Sequence, residues 1–201
     1  MRYFLLFLLI SLQLLTGCVN QHAIKQPNVL TNTDSREQTL KTLSQWRIAG
    51  KIAFIQTDKR ESANLHWSVD QEAQQQSLRM TTYLGINVLS LEQENELTTI
   101  EVDGESYQGD DLELLVWRLT GFTLPTKAIQ YWIKGIPFLP SDSIETNEQN
   151  LPVILSSEYD NQAWTVRYQQ YKTIKGHQLA TKMTIKQDQL TIKLAINRWE
   201  F

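Results

Sequence analysis

The chain has 201 residues, 41% of them hydrophobic, one cysteine and a formal net charge of −3. This length allows one domain with a real core, and a lone cysteine cannot staple the fold with an internal disulfide. The mildly acidic balance offers no basic patch of the kind that nucleic-acid phosphates demand, so no nucleic-acid partner is expected.

Arg2 precedes an apolar run from Tyr3 to Leu12, and Leu15-Thr16-Gly17-Cys18 closes the segment. A charged start, a short apolar middle and small residues at the cut are the layout of a secretory leader. The run is shorter than the roughly 20 apolar residues of a membrane span. The Leu-Thr-Gly-Cys ending resembles the lipobox of bacterial lipoproteins. That resemblance implies cleavage of residues 1–17, S-diacylglycerol and N-acyl chains on Cys18, and no other cofactor. Several acyl chains hold a protein on a bilayer durably, each buried methylene contributing about 0.8 kcal/mol. The alternative is an ordinary cleaved leader with an incidental cysteine. In lipoproteins of this kind Asp after the cysteine favours inner-membrane retention. Val19 therefore points to the outer membrane, on its periplasmic face. Loss of Arg2 takes the charge from −3 to −4.

Residues 18–33 are polar and without apolar period, so they read as a flexible tether ahead of a domain at 34–201. Asp34 is placed to cap a helix to about Ser44, with Leu40 and Leu43 as its apolar stripe. Strict alternation follows: Trp46, Ile48, Gly50, Ile52 and Phe54 share one parity, and Ala63, Leu65, Trp67 and Val69 repeat it after a turn at Asp58-Lys59-Arg60. A period of two means strands with one buried face. Further strands are expected at Ser77–Thr82 (Leu78 and Met80 inward), Asn87–Gln93 and Thr98–Val102. Asp103-Gly104 is then a hairpin turn toward Tyr107.

The period then becomes helical. Asp110 stands before Leu112, Leu115, Val116 and Leu119, with Gly121 behind. Pro125 and Thr126 open a second short helix carrying Ile129, Trp132 and Ile133, closed by Gly135 and Pro137. Residues 141–150 read as polar loop. Strands return at Val153–Glu158, Trp164–Tyr168, Leu179–Ile185 and Leu190–Ile196. One helix, five or six strands, two helices and four strands make a mostly β (α+β) antiparallel fold, since no helices alternate with strands. Nine or ten strands curl, and the helices of residues 110–135 are the material for a lid over the concave side.

Candidate chemistry is sparse. His22, His66 and His177 are dispersed, with no second ligand at metal spacing, so no metal site is expected. No serine lies in a G-x-S-x-G elbow, and Ser156-Ser157 sits within an expected strand. Asp110-Asp111 is explained by helix capping and the helix dipole. Glu92, Glu94 and Glu96 fall at a strand end as solvated charge. No catalytic residue emerges, and an enzyme is not expected.

Apolar surface remains. The inward set comprises Trp46, Ile48, Ile52, Phe54, Leu65, Trp67, Leu78, Met80, Leu115, Leu119, Trp132, Ile192 and Leu194, with Trp164 and Trp199 beside it. Parity alone allows two readings: solid core, or the lining of a hydrophobic cavity that binds acyl chains by area. The first suits a structural or assembly lipoprotein that binds protein partners by its surface. The second suits a lipid-handling protein.

The lipobox, the strand Trp46–Phe54, the loop Tyr83–Asn87, the segment Arg118–Pro125, the run Tyr131–Gly135 and the closing Asn197-Arg198-Trp199 together resemble the LolB family of outer-membrane lipoprotein receptors. The likeness runs through the whole mature chain in order. It implies an unclosed antiparallel barrel with a helical lid over a hydrophobic cavity, in a monomer. It also implies a function: accepting lipoproteins, by their acyl chains, from the periplasmic carrier LolA and inserting them into the inner leaflet of the outer membrane. In the family an exposed apolar residue on the loop between the third and fourth strands assists insertion. The matching residue is Leu84, flanked by Tyr83 and Ile86. Tyr83 stands where the best-known members carry proline, and an interfacial tyrosine suits a membrane-facing tip.

Overall fold

The computed structural model describes residues 32–201, with side chains from Ser35 onward. The leader, Cys18, Val19 and most of the tether lie outside these residues. The described residues fall within one unit, Thr31–Phe201.

Helix α1 (Asn32–Lys41) opens the fold. It begins two residues ahead of Asp34, which therefore lies within the helix rather than before it, and it ends before Ser44. Six strands follow: β1 (Gln45–Ile55), β2 (Arg60–Asp70), β3 (Gln75–Thr81), β4 (Asn87–Glu94), β5 (Leu97–Val102) and β6 (Glu105–Gly109). Then come α2 (Leu112–Thr120) and α3 (Thr126–Trp132). Five strands finish the chain: β7 (Ser143–Thr146), β8 (Pro152–Tyr159), β9 (Gln162–Ile174), β10 (His177–Gln187) and β11 (Leu190–Glu200). Strand β7 occupies what reads in sequence as polar loop. It is a short edge strand whose one apolar residue, Ile144, stands opposite Leu155 of β8.

All eleven strands form one antiparallel sheet in the order β6-β5-β4-β3-β2-β1-β11-β10-β9-β8-β7. Strands β6 and β7 are its two free edges, so the barrel is unclosed. Three tight turns have two consecutive residues at positive φ, as two-residue hairpins of the right twist require: Asp103-Gly104, Asp160-Asn161 and Lys175-Gly176.

Register converts the alternation into continuous apolar rows. Ile100, Leu91, Leu78, Trp67, Ile48 and Trp199 are cross-strand neighbours from β5 to β11. Phe54, Ile192, Ile185, Val166, Leu155 and Ile144 make a second row from β1 to β7. A one-residue slip in any strand would turn its row outward, so burial fixes the pairing. The β1–β11 ladder shifts register at Ala49/Gly50. A Cβ at Gly50 would lie 2.1 Å from the Ala195 carbonyl oxygen, so a glycine is needed where the two backbones close on each other.

Candidate functional site

The inner face holds two apolar clusters, each with its own helix. The larger gathers Trp46, Ile48, Ile52, Leu65, Trp67, Ile192 and Leu194 around Ala128, Trp132 and Ile133 of the α3 region, with Phe54 and Met80 packed at its margin. Trp46 meets Trp67 edge-on at 5.0 Å and Trp199 at 5.8 Å, and Trp132 meets Trp164 at 5.9 Å. The smaller joins Leu91 and Ile100 to Leu112 and Leu115 of α2, with Leu119 against it. Leu78 borders both clusters. Every inward residue read from the sequence thus lies in or against one of these two clusters.

The two mid-chain helices are not a common lid. Helix α3 and the segment after it are fixed within the sheet. Trp132, Lys134 and Ile136 are fully buried. The Tyr168 hydroxyl donates to the Trp132 carbonyl at 2.7 Å, and Arg36 of α1 donates to the carbonyls of Gly135 (2.8 Å), Lys134 (2.9 Å) and Gln178 (3.1 Å). Arg36 thereby binds the carbonyl end of α3, where a cation is favoured. Gly135 has φ +71, and a Cβ there would come within 3.1 Å of the guanidinium. The Asp142 carboxylate accepts from the Phe138 and Leu139 amides at 2.8 and 3.1 Å. Gln130 links α3 to β3 and the β2–β3 turn through Gln76 and Gln71.

Lys134 is invisible as a core residue in sequence. Its ammonium donates to the Leu43 carbonyl at 3.2 Å and lies 5.1 Å from the Tyr131 ring centre. With no carboxylate paired to it among the described residues, burial brings its pKa down to about 8. Burial likewise pushes the Tyr168 phenol up.

Helix α2 is held lightly. Asp111, the second acid of the pair, is the cap rather than Asp110: its carboxylate accepts from the Leu114 amide at 3.0 Å, and Gly121 closes the helix. Leu112 and Leu115 are its buried contacts, while Leu114 and Trp117 face solvent, Trp117 at 52% exposure. Its polar attachment is Glu113, whose carboxylate accepts from Tyr159 Oη of β8 (3.1 Å) and Thr126 Oγ1 of α3 (3.3 Å). Burial, then the Glu113 charge, pushes the Tyr159 phenol up to about 12. Glu113 therefore ties the helix beside edge strand β6 to the strand next to the opposite edge.

The β3–β4 connection is an ordered apolar point. Tyr83 is 89% exposed, Leu84 71% and Ile86 62%, with Val88 also exposed. The loop holds its own shape: the Thr82 amide donates to the Ile86 carbonyl at 2.8 Å, the Gly85 amide to the Thr82 carbonyl at 3.0 Å, and the Ile86 amide to Thr82 Oγ1 at 3.1 Å. None of these bonds uses a side chain of residues 83–86.

Two recesses lie where strands β1 to β3 meet β11. One, of about 510 Å³, is lined by Asp70, Glu92 and Glu94 among others. The other, of about 480 Å³, has Arg47, His66, Arg79, Arg198 and Glu200 among its lining residues. The absence of a basic patch inferred from net charge therefore fails on this outer face, where cross-strand register gathers residues distant in sequence. Among the described residues, no three metal-ligating side chains converge, and no helix is long and apolar enough to cross a membrane.

An unclosed antiparallel sheet wrapped around one fixed helix, with a second helix beside edge strand β6, defines the class of fold. Solved structures of similar fold include a DUF1329 family protein from Desulfovibrio piger (TM-score 0.50, 6% identity, 84% of this chain and 90% of that one). A LolA superfamily protein from Nitrosomonas europaea aligns at TM-score 0.46 and 7% identity over 83% and 93% of the two chains. The family model for outer membrane lipoprotein LolB matches residues 44–199. The outer-membrane lipoprotein LolB of Vibrio cholerae is 33% identical over 95% of this chain and 93% of its own, and that of Shewanella woodyi is 31% identical over 98% and 88%. The chain belongs to the LolB family of outer-membrane lipoproteins, a family of lipoprotein localization rather than of enzymes.

Proposed function

We propose that this outer-membrane protein is a receptor that accepts lipoproteins from the periplasmic carrier LolA and inserts them into the inner leaflet of the outer membrane. Cys18 is its acylated anchor. One arrangement carries the reading: an apolar inner face with α2 held lightly over one half, and an ordered tip of exposed apolar residues on the β3–β4 connection. Incoming acyl chains pass beneath α2, replacing its contacts with Leu91 and Ile100, and spread over the row from Leu78 to Trp46. Transfer needs no covalent step. Each methylene kept from water is worth about 0.8 kcal/mol, so the chains move toward whichever site covers more of them: carrier, receptor, then bilayer. Tyr83, Leu84 and Ile86 enter the bilayer and bring the opening to it.

The test is transfer with purified components. Carrier loaded with a radiolabelled acylated lipoprotein is mixed with this receptor, then with liposomes. Label is expected to pass to the receptor and then to the liposomes. Label that stays on the carrier refutes the reading and leaves the assembly-lipoprotein alternative, whose filled interior also takes up no apolar fluorescent probe.

A further inference from the structure

The outer face of the sheet carries a charge pattern that the net charge conceals. Register sets Arg198, Ala49, His66 and Arg79 in one cross-strand row over β11, β1, β2 and β3. The adjoining row is Glu200, Arg47, Ser68 and Ser77. Ala49, Ser68 and Ser77 are half-buried and form a floor, and the three arginines and His66 stand exposed around it, enclosing the recess of about 480 Å³. Glu200 is the carboxylate of that lining, and Arg198 pairs with it at 3.5 Å. Among the described residues Arg47 and Arg79 meet no carboxylate within ion-pairing distance. Lys51, Lys182 and Lys193 extend positive charge along the same face. Asp70, Glu92 and Glu94 bound it on the other side.

Paired guanidinium forks beside hydroxyl groups match the oxygens of a phosphate. Position narrows the source. Thr81 lines the recess and leads directly into the apolar tip. Arg79 precedes Tyr83 by four residues, about 13 Å at strand rise. A tip sunk into the hydrocarbon edge therefore carries the recess to the headgroup layer. We propose that this recess seats the phosphate of an anionic phospholipid headgroup, an electrostatic hold on the bilayer separate from the apolar tip and from the acyl anchor. Its depth rests on the tip entering the membrane, whereas its affinity for the headgroup does not.

His66 supplies the reporter, because His22 and His177 are the other histidines of the chain. The full anchored chain in phosphatidylcholine bicelles is titrated with phosphatidylglycerol while the imidazole proton resonances are followed by NMR. A saturable shift of the His66 signal is expected, with His177 unmoved and the response weakening as salt is raised. Arg47→Gln/Arg79→Gln, with an unchanged thermal melt, should weaken apparent affinity at least tenfold. A short-chain phosphatidylglycerol below its micelle concentration reaches the recess without tip insertion. Its response stands even if the tip proves not to enter the bilayer. No shift with either lipid overturns the site, as does a shift that persists in the double variant. A shift with inorganic phosphate at matched concentration and none with phosphatidylglycerol overturns the lipid assignment.

Discussion

Leu84→Glu should separate delivery from acceptance. Leu84 is 71% exposed in the free protein. Full burial of a leucine is worth about 1.5–3 kcal/mol, so the share left for membrane entry is about 1–2 kcal/mol. Glutamate forfeits that and brings a carboxylate toward a medium where charge costs roughly 2.5–3.5 kcal/mol at the bilayer centre and less near its surface. A combined loss of about 2–4 kcal/mol lowers tip insertion by roughly 30- to 1000-fold. The fold should hold within about 0.5 kcal/mol, because the bonds shaping the tip are made by backbone groups and Thr82. In the two-stage assay, label should reach the Leu84→Glu receptor normally and stop there, while Leu84→Ile should deliver normally. Unimpaired delivery by Leu84→Glu would remove the tip from the mechanism, and failed acceptance would mean the substitution acts elsewhere.

Gly50→Ala places a methyl that, on the unmoved backbone, would lie 2.1 Å from the Ala195 carbonyl oxygen. Its urea midpoint should fall by the equivalent of about 1–3 kcal/mol with an unchanged m-value. Arg36→Gln loses charge-assisted bonds to the carbonyls of Lys134, Gly135 and Gln178. It should cost about 2–4 kcal/mol in the same measurement, and Arg36→Lys should recover little of it because the fork geometry is lost. Lys134, with a folded pKa of about 8 against 10.5 in the unfolded chain, binds fewer protons folded than unfolded between those values. Stability should therefore rise as pH climbs from 8 toward 10, by at most about 3 kcal/mol. Below pH 8 the full penalty remains, and Lys134→Met should flatten this rise in pH-dependent denaturation. Glu113→Ala releases α2 from Tyr159 and Thr126. Uptake of an apolar fluorescent probe should accelerate about tenfold by stopped flow, and an unchanged rate would show that α2 does not gate the interior.

Most strands are legible because their burial is one-sided and long enough to state a period of two. Trp46–Phe54 and Leu190–Ile196 are readable in isolation. Strand β7 is not, since a four-residue edge strand with Ile144 as its single apolar member carries no period. The cap at Asp111 rather than Asp110 turns on one residue of backbone geometry, which a pair of adjacent acids does not disclose. The division of labour between α2 and α3 escapes sequence for a different reason. Both are short and apolar, and what fixes α3 comes from Arg36, Tyr168 and Asp142, remote or polar residues whose partners are backbone carbonyls and amides. Lys134 would be assigned to solvent by composition, and only tertiary packing buries it. The arginine recess is illegible for the same reason in reverse: Arg47, Arg79 and Arg198 are separated by long stretches of chain, and the strand order makes them neighbours.

The unpaired edges β6 and β7 leave the sheet one seam that no ladder closes. Residues 110–142 span that seam and are anchored unevenly: Arg36, Tyr168 and Asp142 fix the α3 half, whereas α2 rests on Leu112, Leu115 and Glu113. On the proposed reading, a guest would displace those α2 contacts alone and leave every ladder bond between strands intact.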